Sequence, residues 1–377
     1  MEIVFYRRKT NRRLFSFGDD IRKIPVCGKA LEIWQAEAIQ SVSCKLKNIQ
    51  SDDEIKASEY FVFDDDLFFT GEFVRKSLLA IKKDITPTQF GLAQNRFNER
   101  YVLPHSADNS DNLKFNFQYH NKAGSGFRFY EIEQQLLNDD FFIPDQIVQG
   151  GTYYVGRCNC FISRIASPFH LLQVNLAFNL IRTIKPQKHY PQWLVDKIAP
   201  QGSWLYNRAL KNLNRIGKNC RIHPTAVIEA SVIEDNVTIG AYTVVRFSRI
   251  GSGCVLSDQV AVINSVLGEN NYIANSNFLS FNLLFDNVFL IHGPYQFSVF
   301  GNHSAAFAVI NCDIRLDQQN IKIQTDAGLL DSNQKLLGIA YGHYSKTGGG
   351  NIIAAGRIVP NYHTINPPGN IIMKFDP

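Results

Sequence analysis

The segment IGKNCRIHPTAVIEASVIEDNVTIGAYTVVRFSR, residues 216–249, decides the fold of this chain. It divides into pieces of six, six and five residues, twice over, and each piece opens with Ile or Val. The same rhythm continues to Leu290, so one 17-residue period governs the whole stretch. The opening positions are all aliphatic: Ile216, Ile222, Ile228, Ile233, Ile239, Val245, Ile250, Leu256, Val262, Leu267, Ile273, Leu279, Leu284 and Leu290.

This period excludes the common alternatives. An amphipathic helix needs apolar positions about 3.6 residues apart, and a half-buried strand needs them two apart. Steps of six and five predict instead a coil of three short strands, with successive coils stacked about 4.8 Å apart. Glycines that follow opening residues, such as Gly217 and Gly240, indicate corners with unusual backbone angles. The pattern resembles the left-handed parallel β-helix of hexapeptide-repeat acyltransferases.

The repeat also sets the expected domain organisation. Its rhythm breaks at Gln296 and returns with openings at Tyr341, Thr347, Ile353 and Ile358. We therefore predict a β-helix domain over 216–377 with an irregular excursion at about 297–336. A short helical pattern in 201–215 predicts a linker helix before it, and residues 1–200 form a separate domain.

Composition narrows the functional classes. The net charge of +5 is modest, and the basic residues near the N-terminus are not interleaved with aromatic residues, so we expect no nucleic-acid partner. No apolar run approaches the roughly 20 residues of a membrane-spanning helix, and we expect none. Seven scattered cysteines and no apparent signal peptide predict reduced thiols and a cytoplasmic protein.

The first 200 residues predict an α/β domain. A buried strand at 59–63 ends in Asp64, Asp65 and Asp66, and Thr70 is a suitable N-cap for the helix that follows. Carboxylates at the end of a strand suit Mg²⁺ bound to phosphates. The alternative is a solvated turn, which Asp also favours.

Three segments of this domain resemble sugar-phosphate nucleotidyltransferases. They are VCGKALEIWQAEAI (26–39), FVFDDD (61–66) and SRIASPFHLLQVNLAF (163–178). Their order, followed by hexapeptide repeats, resembles the bifunctional N-acetylglucosamine-1-phosphate uridyltransferases. The resemblance implies a Mg²⁺ site at Asp64 and Asp65. It also implies nucleotide or phosphate contacts from three basic residues: Arg7, Arg8 and Lys29.

The nucleotide loop departs from that family. The family has a G-x-G-T-R loop that wraps phosphates with backbone N–H groups, whereas residues 6–26 here read YRRKTNRRLFSFGDDIRKIPV. Gly18 is the only glycine in that segment, and a Gly-poor loop cannot bring its backbone close to phosphate. We therefore expect this domain to be degenerate, or to bind a sugar or nucleotide without turning it over.

Two C-terminal segments resemble the acetyltransferase half of the same family. HGPYQFSVFG (292–301) matches its catalytic motif with one residue fewer, and INCDIRLD (310–317) matches a second motif with Asp313 in place of Asn. The resemblance implies that His292 is the catalytic base, and His343 is the competing candidate because it has the same place in its own coil. It also implies contacts to the sugar substrate or to acyl-coenzyme A from a further set of residues: Tyr295, Asn311, Asp313, Arg315 and Lys346.

Three functions follow as hypotheses. The first is acyl transfer from acetyl-coenzyme A, or another acyl-coenzyme A, to a sugar or sugar nucleotide, with His292 as general base. The second is sugar-1-phosphate nucleotidyl transfer, with a phosphate site rebuilt from the N-terminal arginine run and Asp64–Asp66, and with Mg²⁺ at that site. The third is a non-catalytic regulator or scaffold. The family resemblance also implies a homotrimer that recognises a sugar phosphate or nucleotide sugar.

Overall fold

The chain forms two compact units. The computed structural model describes residues 3–106, 113–121, 126–137, 140–142, 144–145, 152–183, 204–326 and 328–366. Unit 1 comprises Met1–Ala177 and Leu316–Lys335, and unit 2 comprises Phe178–Arg315 and Leu336–Pro377. The first unit therefore includes a segment from the middle of the predicted β-helix domain. Residues 201–203 of the predicted linker and residues 367–377 lie outside the described residues.

A mixed six-stranded sheet forms the centre of unit 1. Its strands are β1 (Val4–Arg8), β4 (Lys45–Ile49), β5 (Tyr60–Asp64), β7 (Thr88–Leu92), β8 (Lys114–His120) and β9 (Arg128–Ile132). Their spatial order is β4-β1-β5-β8-β7-β9. Strand β1 runs parallel to both β4 and β5, so the carboxyl ends of β1 and β5 meet at one edge. The predicted strand at 59–63 is thus confirmed, and Asp64 ends it.

Shorter strands complete unit 1. They are β2 (Pro25–Val26), β3 (Lys29–Ala30), β6 (Leu67–Phe69), β10 (Asp140–Phe142), β11 (Thr152–Tyr154), β12 (Ile162–Arg164), β31 (Ile321–Thr325) and β32 (Gly328–Gln334). The antiparallel pair β6 and β12 brings Arg164 opposite Leu67, next to the end of β5. Distant parts of the sequence therefore meet at this edge of the sheet.

Helices alternate with these strands along the chain. They are α1 (Leu31–Gln40), α2 (Gly71–Lys83), α3 (Arg96–Tyr101) and α4 (Pro168–Thr183), and α5 (Trp204–Asn212) follows within the predicted linker. The hydroxyl of Thr70 accepts a hydrogen bond from Phe73 N, so the predicted N-cap of α2 is confirmed. The cap satisfies one of the backbone N–H groups that every helix leaves unpaired at its start.

Unit 2 is a parallel β-helix. The first ladder consists of β13 (Arg215–Ile216), β16 (Val232–Ile233), β19 (Arg249–Ile250), β22 (Val266–Leu267), β25 (Leu283–Leu284), β28 (Val299–Phe300), β33 (Ala340–Tyr341) and β36 (Ile358–Val359). The second consists of β14 (Arg221–Ile222), β17 (Thr238–Ile239), β20 (Val255–Leu256), β23 (Tyr272–Ile273), β26 (Phe289–Ile291), β29 (Ala305–Phe307), β34 (Lys346–Thr347) and β37 (Thr364–Ile365). The third consists of β15 (Val227–Glu229), β18 (Val244–Arg246), β21 (Ala261–Ile263), β24 (Phe278–Ser280) and β27 (Tyr295–Gln296), and β30 (Ile310–Asn311) pairs separately with β35 (Ile352–Ile353).

Strand register confirms the 17-residue period. Ile216 pairs with Ile233, and Ile233 pairs with Ile250, as the sequence pattern requires. The opening residues from Ile228 onward form the buried core of the β-helix, whereas Ile222 is partly buried and Ile216, in the first coil, is exposed. After the interruption the register shifts by one residue. Tyr341 pairs with Val359, so the predicted opening at Ile358 is wrong by one position.

The corners use residues other than the ones we predicted. Asn219, Asn236 and Asn270 have φ values of 56°, 61° and 55° at equivalent corners, a conformation that Asn tolerates better than most side chains. Gly217 is needed for a different reason. A Cβ atom on Gly217 would lie 2.7 Å from the backbone N of Asp235 in the next coil. At this corner glycine allows close approach, and asparagine supplies the left-handed turn.

The irregular excursion is shorter than predicted. Strands β28 and β29 continue two ladders of the β-helix, so the rhythm persists well past residue 297. Their coil is one residue short and opens with Phe300 and Ala306 instead of aliphatic residues, which is why the sequence pattern missed it. The segment that leaves the β-helix forms the β31–β32 hairpin.

The hairpin belongs to unit 1. Gln334 on β32 accepts a hydrogen bond from the Arg100 guanidinium at 2.9 Å, and its amide donates to the backbone O of Glu99 at 2.8 Å. Arg100 also lies over the ring of Tyr153, with its Cζ atom 4.9 Å from the ring centroid. The two hydrogen bonds attach the hairpin to helix α3.

Candidate functional site

The loop after β1 does not form a phosphate cradle. Its backbone is hydrogen-bonded to itself, because Leu14 N donates to Asp19 O at 3.0 Å and Gly18 N donates to Leu14 O at 2.8 Å. The side chains of Leu14 and Phe17 are buried in the core of unit 1. These backbone N–H groups are therefore already used within the loop, in agreement with the Gly-poor sequence.

Arginine side chains surround the acidic residues at the end of β5. Asp64 accepts from Arg8 at 2.9 Å and from the amide of Asn116, also at 2.9 Å. Asp66 accepts from Arg12 and, at 2.9 Å, from Arg164. One nitrogen of Arg12, Nη1, also lies 3.6 Å from Asp64 and so bridges the two carboxylates. We call Asp64, Asp66, Arg12 and Arg164 the carboxylate–guanidinium cluster.

Asp65 differs from Asp64 and Asp66 because its hydrogen-bond donor is not an arginine. Its carboxylate accepts from the hydroxyl of Thr10 at 2.5 Å and from Thr10 N at 3.2 Å. Its backbone O accepts from Gln35, a fully buried residue of α1. The hydrogen bonds of Asp65 therefore hold the loop after β1 against the sheet. The alternative of a solvated acidic turn is wrong, because all three carboxylates are buried.

A cavity of about 250 Å³ opens beside the carboxylate–guanidinium cluster. Its lining is mainly polar and consists of Asp64, Asp66, Leu67, His105, Ser106, Lys114, Phe115, Asn116 and Arg164. The cavity lies at the carboxyl ends of parallel strands, the usual place for ligands in open α/β sheets. This cavity is the candidate ligand site of unit 1.

Burial raises the pKa of Asp66, whereas the neighbouring Arg164 and Arg12 lower it. Desolvation is the largest effect because Asp66 is 0% exposed. The second oxygen, Oδ1, has no hydrogen-bond partner among the described residues. Asp66 is therefore a carboxylate whose charge depends on the two guanidinium groups.

The acidic residues do not fit a Mg²⁺ site. Mg²⁺ requires near-octahedral oxygen ligands at about 2.0–2.1 Å, drawn from carboxylates with free lone pairs. Here both oxygens of Asp64 and Oδ2 of Asp66 face guanidinium or amide donors, and Oδ1 of Asp65 faces Thr10. Among the described residues no group of three or more His, Cys, Asp or Glu side chains is arranged to hold a metal ion.

The predicted phosphate-binding residues are occupied by the protein itself. Arg7 is buried and donates to Gln35 at 3.0 Å and to Asn48 at 2.8 Å. Arg8 forms ion pairs with Asp52 and Asp64, and Lys29 pairs with Glu37 at 2.6 Å. All three cations thus contact groups of the protein itself, and their contact with a phosphate stays a prediction.

Behind the cavity lies a pair of stacked imidazoles. The rings of His105 and His170 are 4.2 Å apart and nearly parallel. Nδ1 of His170 lies 2.7 Å from Ser167 Oγ, and Nε2 lies 3.2 Å from Pro104 O. Pro104 O can only accept, so Nε2 carries the proton and Nδ1 accepts from the serine. Burial lowers the pKa of His170 to about 4.

This pKa predicts a loss of stability at acid pH. Below about pH 6.5, His170 becomes protonated in the unfolded chain but stays neutral in the native protein. The free energy of unfolding therefore falls as the pH decreases from 6.5 to 4. The shift corresponds to about 3 kcal/mol at most. Chemical denaturation at pH 7 and pH 4.5 should show a smaller loss in His170→Gln than in the wild type.

The exposed His363 provides the control. His363→Gln should keep the wild-type pH dependence. The raised pKa of Asp66 acts in the opposite direction, because native Asp66 takes up its proton at higher pH than the unfolded chain. The difference between wild type and variant reports on the stacked pair, because burial and the neighbouring His170 also lower the pKa of His105. An unchanged loss in His170→Gln would show that this histidine does not titrate as described.

In unit 2, His292 lies exposed at a shortened corner of the β-helix. Leu279 pairs with Tyr295, sixteen residues later, whereas Val262 pairs with Leu279 after seventeen. His292 adopts φ 54°, and Gly293 N donates to the side chain of Asn277 at 2.6 Å. The Gly293 N–H is therefore already engaged, whereas the imidazole of His292 faces solvent.

His343 occupies a structural position. Its side chain is buried, and its Nδ1 accepts a hydrogen bond from Asn302 N at 2.8 Å. Its ring packs edge-on against Phe285 at 5.4 Å. Because Nδ1 accepts, the neutral ring carries its proton on Nε2. His343 is therefore poorly suited to be a general base, and His292 is the better candidate.

The remaining predicted contacts divide into buried and exposed residues. Tyr295 is 0% exposed and donates its hydroxyl to Ile291 O at 3.0 Å, so it is a core residue and not a surface contact. Asn311 is half-buried and accepts from the hydroxyl of the buried Tyr341 at 2.6 Å. A contact between Asn311 and the substrate stays a prediction.

Asp313, Arg315 and Lys346 remain predictions. Asp313 is half-buried, and desolvation raises its pKa. Arg315 and Lys346 are both exposed.

Sequence reasoning missed Arg164 and Asn116 as site residues, and it considered Arg12 only as part of a basic run that could bind phosphate. The arginine run around residue 12 was visible in the sequence. The pairing of Arg164 with Asp66 was not, because it depends on two strands that are distant in sequence.

Comparison with known proteins supports the resemblance. The family described as "Bacterial transferase hexapeptide (six repeats)" matches residues 215–246. Proteins named "Bifunctional protein GlmU" from two strains of Thermus thermophilus are 30% identical to this chain over 105 residues. The alignment covers 25% of this chain and 23% of each relative. In the part of the chain that the structure describes, no helix has the length and apolar character of a membrane span.

The matched segment spans about a quarter of the length of those relatives. The structure confirms the predicted architecture, an α/β unit followed by a hexapeptide β-helix. The chain therefore resembles the bifunctional N-acetylglucosamine-1-phosphate uridyltransferases, most clearly through its hexapeptide repeats.

Proposed function

We propose that this protein is a transferase of sugar-nucleotide metabolism that moves an acyl group from a thioester to a sugar or sugar nucleotide at the β-helix. The observation that carries this proposal is the exposed imidazole of His292 at the shortened corner of the repeat. The hexapeptide match and the GlmU relatives support a transferase.

The chemistry requires one group that moves a proton. The imidazole of His292 accepts a proton from the acceptor amine or hydroxyl while that group attacks the thioester carbonyl. The tetrahedral intermediate then expels the thiolate, which receives the proton from the imidazolium. His is suited to both transfers because its ordinary pKa lies near neutrality.

The direct assay is thiol release from acetyl-coenzyme A in the presence of sugar phosphates and nucleotide sugars. Release that depends on an acceptor would support acyl transfer. Absence of acceptor-dependent release across amine- and hydroxyl-bearing acceptors would contradict it and favour a binding or regulatory role. Nucleotidyl transfer is less well supported, because the loop after β1 and the paired carboxylates lack the features that position phosphate.

We further propose that the protein assembles as a homotrimer through its β-helix. The second ladder carries an outward row of aromatic rings, Tyr272, Phe289 and Phe307, with centroids 5.3 and 5.7 Å apart. Tyr272 is 44% exposed in the single chain. Such a row favours burial against another protein surface.

Sedimentation equilibrium should give three times the chain mass of 42.8 kDa. Tyr272→Lys should shift the distribution toward the monomer, since it places a charge on the apolar row. Tyr242→Lys, which changes another exposed tyrosine of unit 2, is the matched control and should leave the assembly unchanged. A wild-type mass equal to one chain would contradict the trimer.

A further inference from the structure

We propose that the guanidinium groups of Arg12 and Arg164 occupy the place of a divalent cation at Asp64 and Asp66. The candidate ligand site of unit 1 therefore needs no metal ion. The first reason is the geometry of Arg12. Its Nη1 atom lies between the two carboxylates, in hydrogen-bond contact with Asp66 and 3.6 Å from Asp64. Arg12 thus supplies to both carboxylates the positive charge that a metal ion would supply.

The second reason is that the backbone of both arginines is held in place. Arg164 is the last residue of β12, and its backbone is paired with Leu67 in the antiparallel β6–β12 ladder. The loop that carries Arg12 is anchored on both sides of that residue, by Thr10 N on Asp65 and by Phe15 N on Ala166 O at 2.9 Å. The positive charges are thus built into the strand ends and the loop.

The third reason is electrostatic. Asp66 is 0% exposed, and one of its oxygens has no hydrogen-bond partner among the described residues. A buried carboxylate of this kind must be compensated by charge. With Arg12 and Arg164 in contact, an incoming divalent cation would meet two positive charges before it reached a carboxylate oxygen.

Arg12 and Arg164 should prevent a divalent cation from binding to the carboxylates. If both guanidinium groups are replaced by neutral amides, the carboxylate of Asp66 loses both of its ion pairs and should become accessible to a cation. The double variant Arg12→Gln/Arg164→Gln should therefore bind Mn²⁺ at least roughly tenfold more tightly than the wild type, since two repulsive charges are gone. Adding Asp66→Asn to that variant should remove the gain.

Electron paramagnetic resonance of free Mn²⁺, titrated with the full-length protein, measures this binding without reference to activity. Arg13→Gln is the matched control, since Arg13 lies on the same loop and donates to Gly18 O. It should bind Mn²⁺ as the wild type does. A folded double variant with no gain in affinity would overturn the proposal.

A second comparison tests the proposal if the double variant does not fold. Wild type and Asp64→Asn should bind Mn²⁺ equally weakly, because Asp64 is engaged by Arg8 and Asn116. If the wild type binds Mn²⁺ and Asp64→Asn weakens that binding roughly tenfold or more, the carboxylates hold a metal and the proposal is wrong. Neither result bears on acyl transfer in unit 2.

Discussion

His292→Asn should lower the acyl-transfer rate by about 10²- to 10⁴-fold, the usual contribution of a general base. Asn removes the base but tolerates the left-handed φ of 54° at this position, as it does at the corners of Asn219 and Asn236. The fold and the assembly should therefore persist. A loss of rate in this variant then reports on proton transfer, whereas His292→Ala would also strain the corner.

His303→Asn is the matched control. His303 is also exposed, adopts φ 56° at a β-helix corner, and stacks on Tyr344 at 4.8 Å. Its replacement should leave the rate of acceptor-dependent thiol release within a factor of about two, since it changes a surface residue of unit 2. If His292→Asn retains the wild-type rate and His303→Asn loses it, the base has been assigned to the wrong histidine.

Phe117→Ala should destabilise unit 1 by about 3–5 kcal/mol, the range for deletion of a buried aromatic side chain. Phe117 is 0% exposed on the central strand β8. Its ring contacts a set of phenylalanines at centroid distances from 5.2 to 6.2 Å: Phe5, Phe61, Phe63, Phe69, Phe73 and Phe90. The cavity left by alanine would therefore be lined by rings that cannot all close around it.

Urea unfolding followed by circular dichroism measures this change. Phe117→Leu, which keeps most of the volume, should cost about 1 kcal/mol. Phe129→Ala, at an exposed ring of the same sheet, should cost less than either. A loss below about 1 kcal/mol for Phe117→Ala would show that the aromatic cluster repacks, contrary to the dense packing of protein interiors.

The β-helix could be predicted almost completely because its information is local and repeated. Each opening residue from Ile216 to Leu290 reports the same inward position, so one error does not disturb the pattern. The prediction failed where the repeat changes its residue type. Phe300 and Ala306 fill two inward positions with an aromatic ring and a methyl group. The predicted irregular segment was therefore longer than the observed one.

The site in unit 1 could be predicted only in part. The run FVFDDD placed three carboxylates at the end of a strand, and the Gly-poor loop excluded a backbone cradle. What the carboxylates contact was not visible. Arg164 lies 98 residues after Asp66, and their ion pair forms because β12 aligns with β6.

The sequence alone therefore determined the architecture, since periodic burial of aliphatic residues requires a stacked coil whatever the details of its surface. It also determined that the loop after β1 cannot wrap phosphate. Only the tertiary structure decided which charged groups compensate each other. A buried carboxylate forms ion pairs with the cationic side chains next to it. Arg12 and Arg164 lie next to Asp66 only because the chain folds into this sheet.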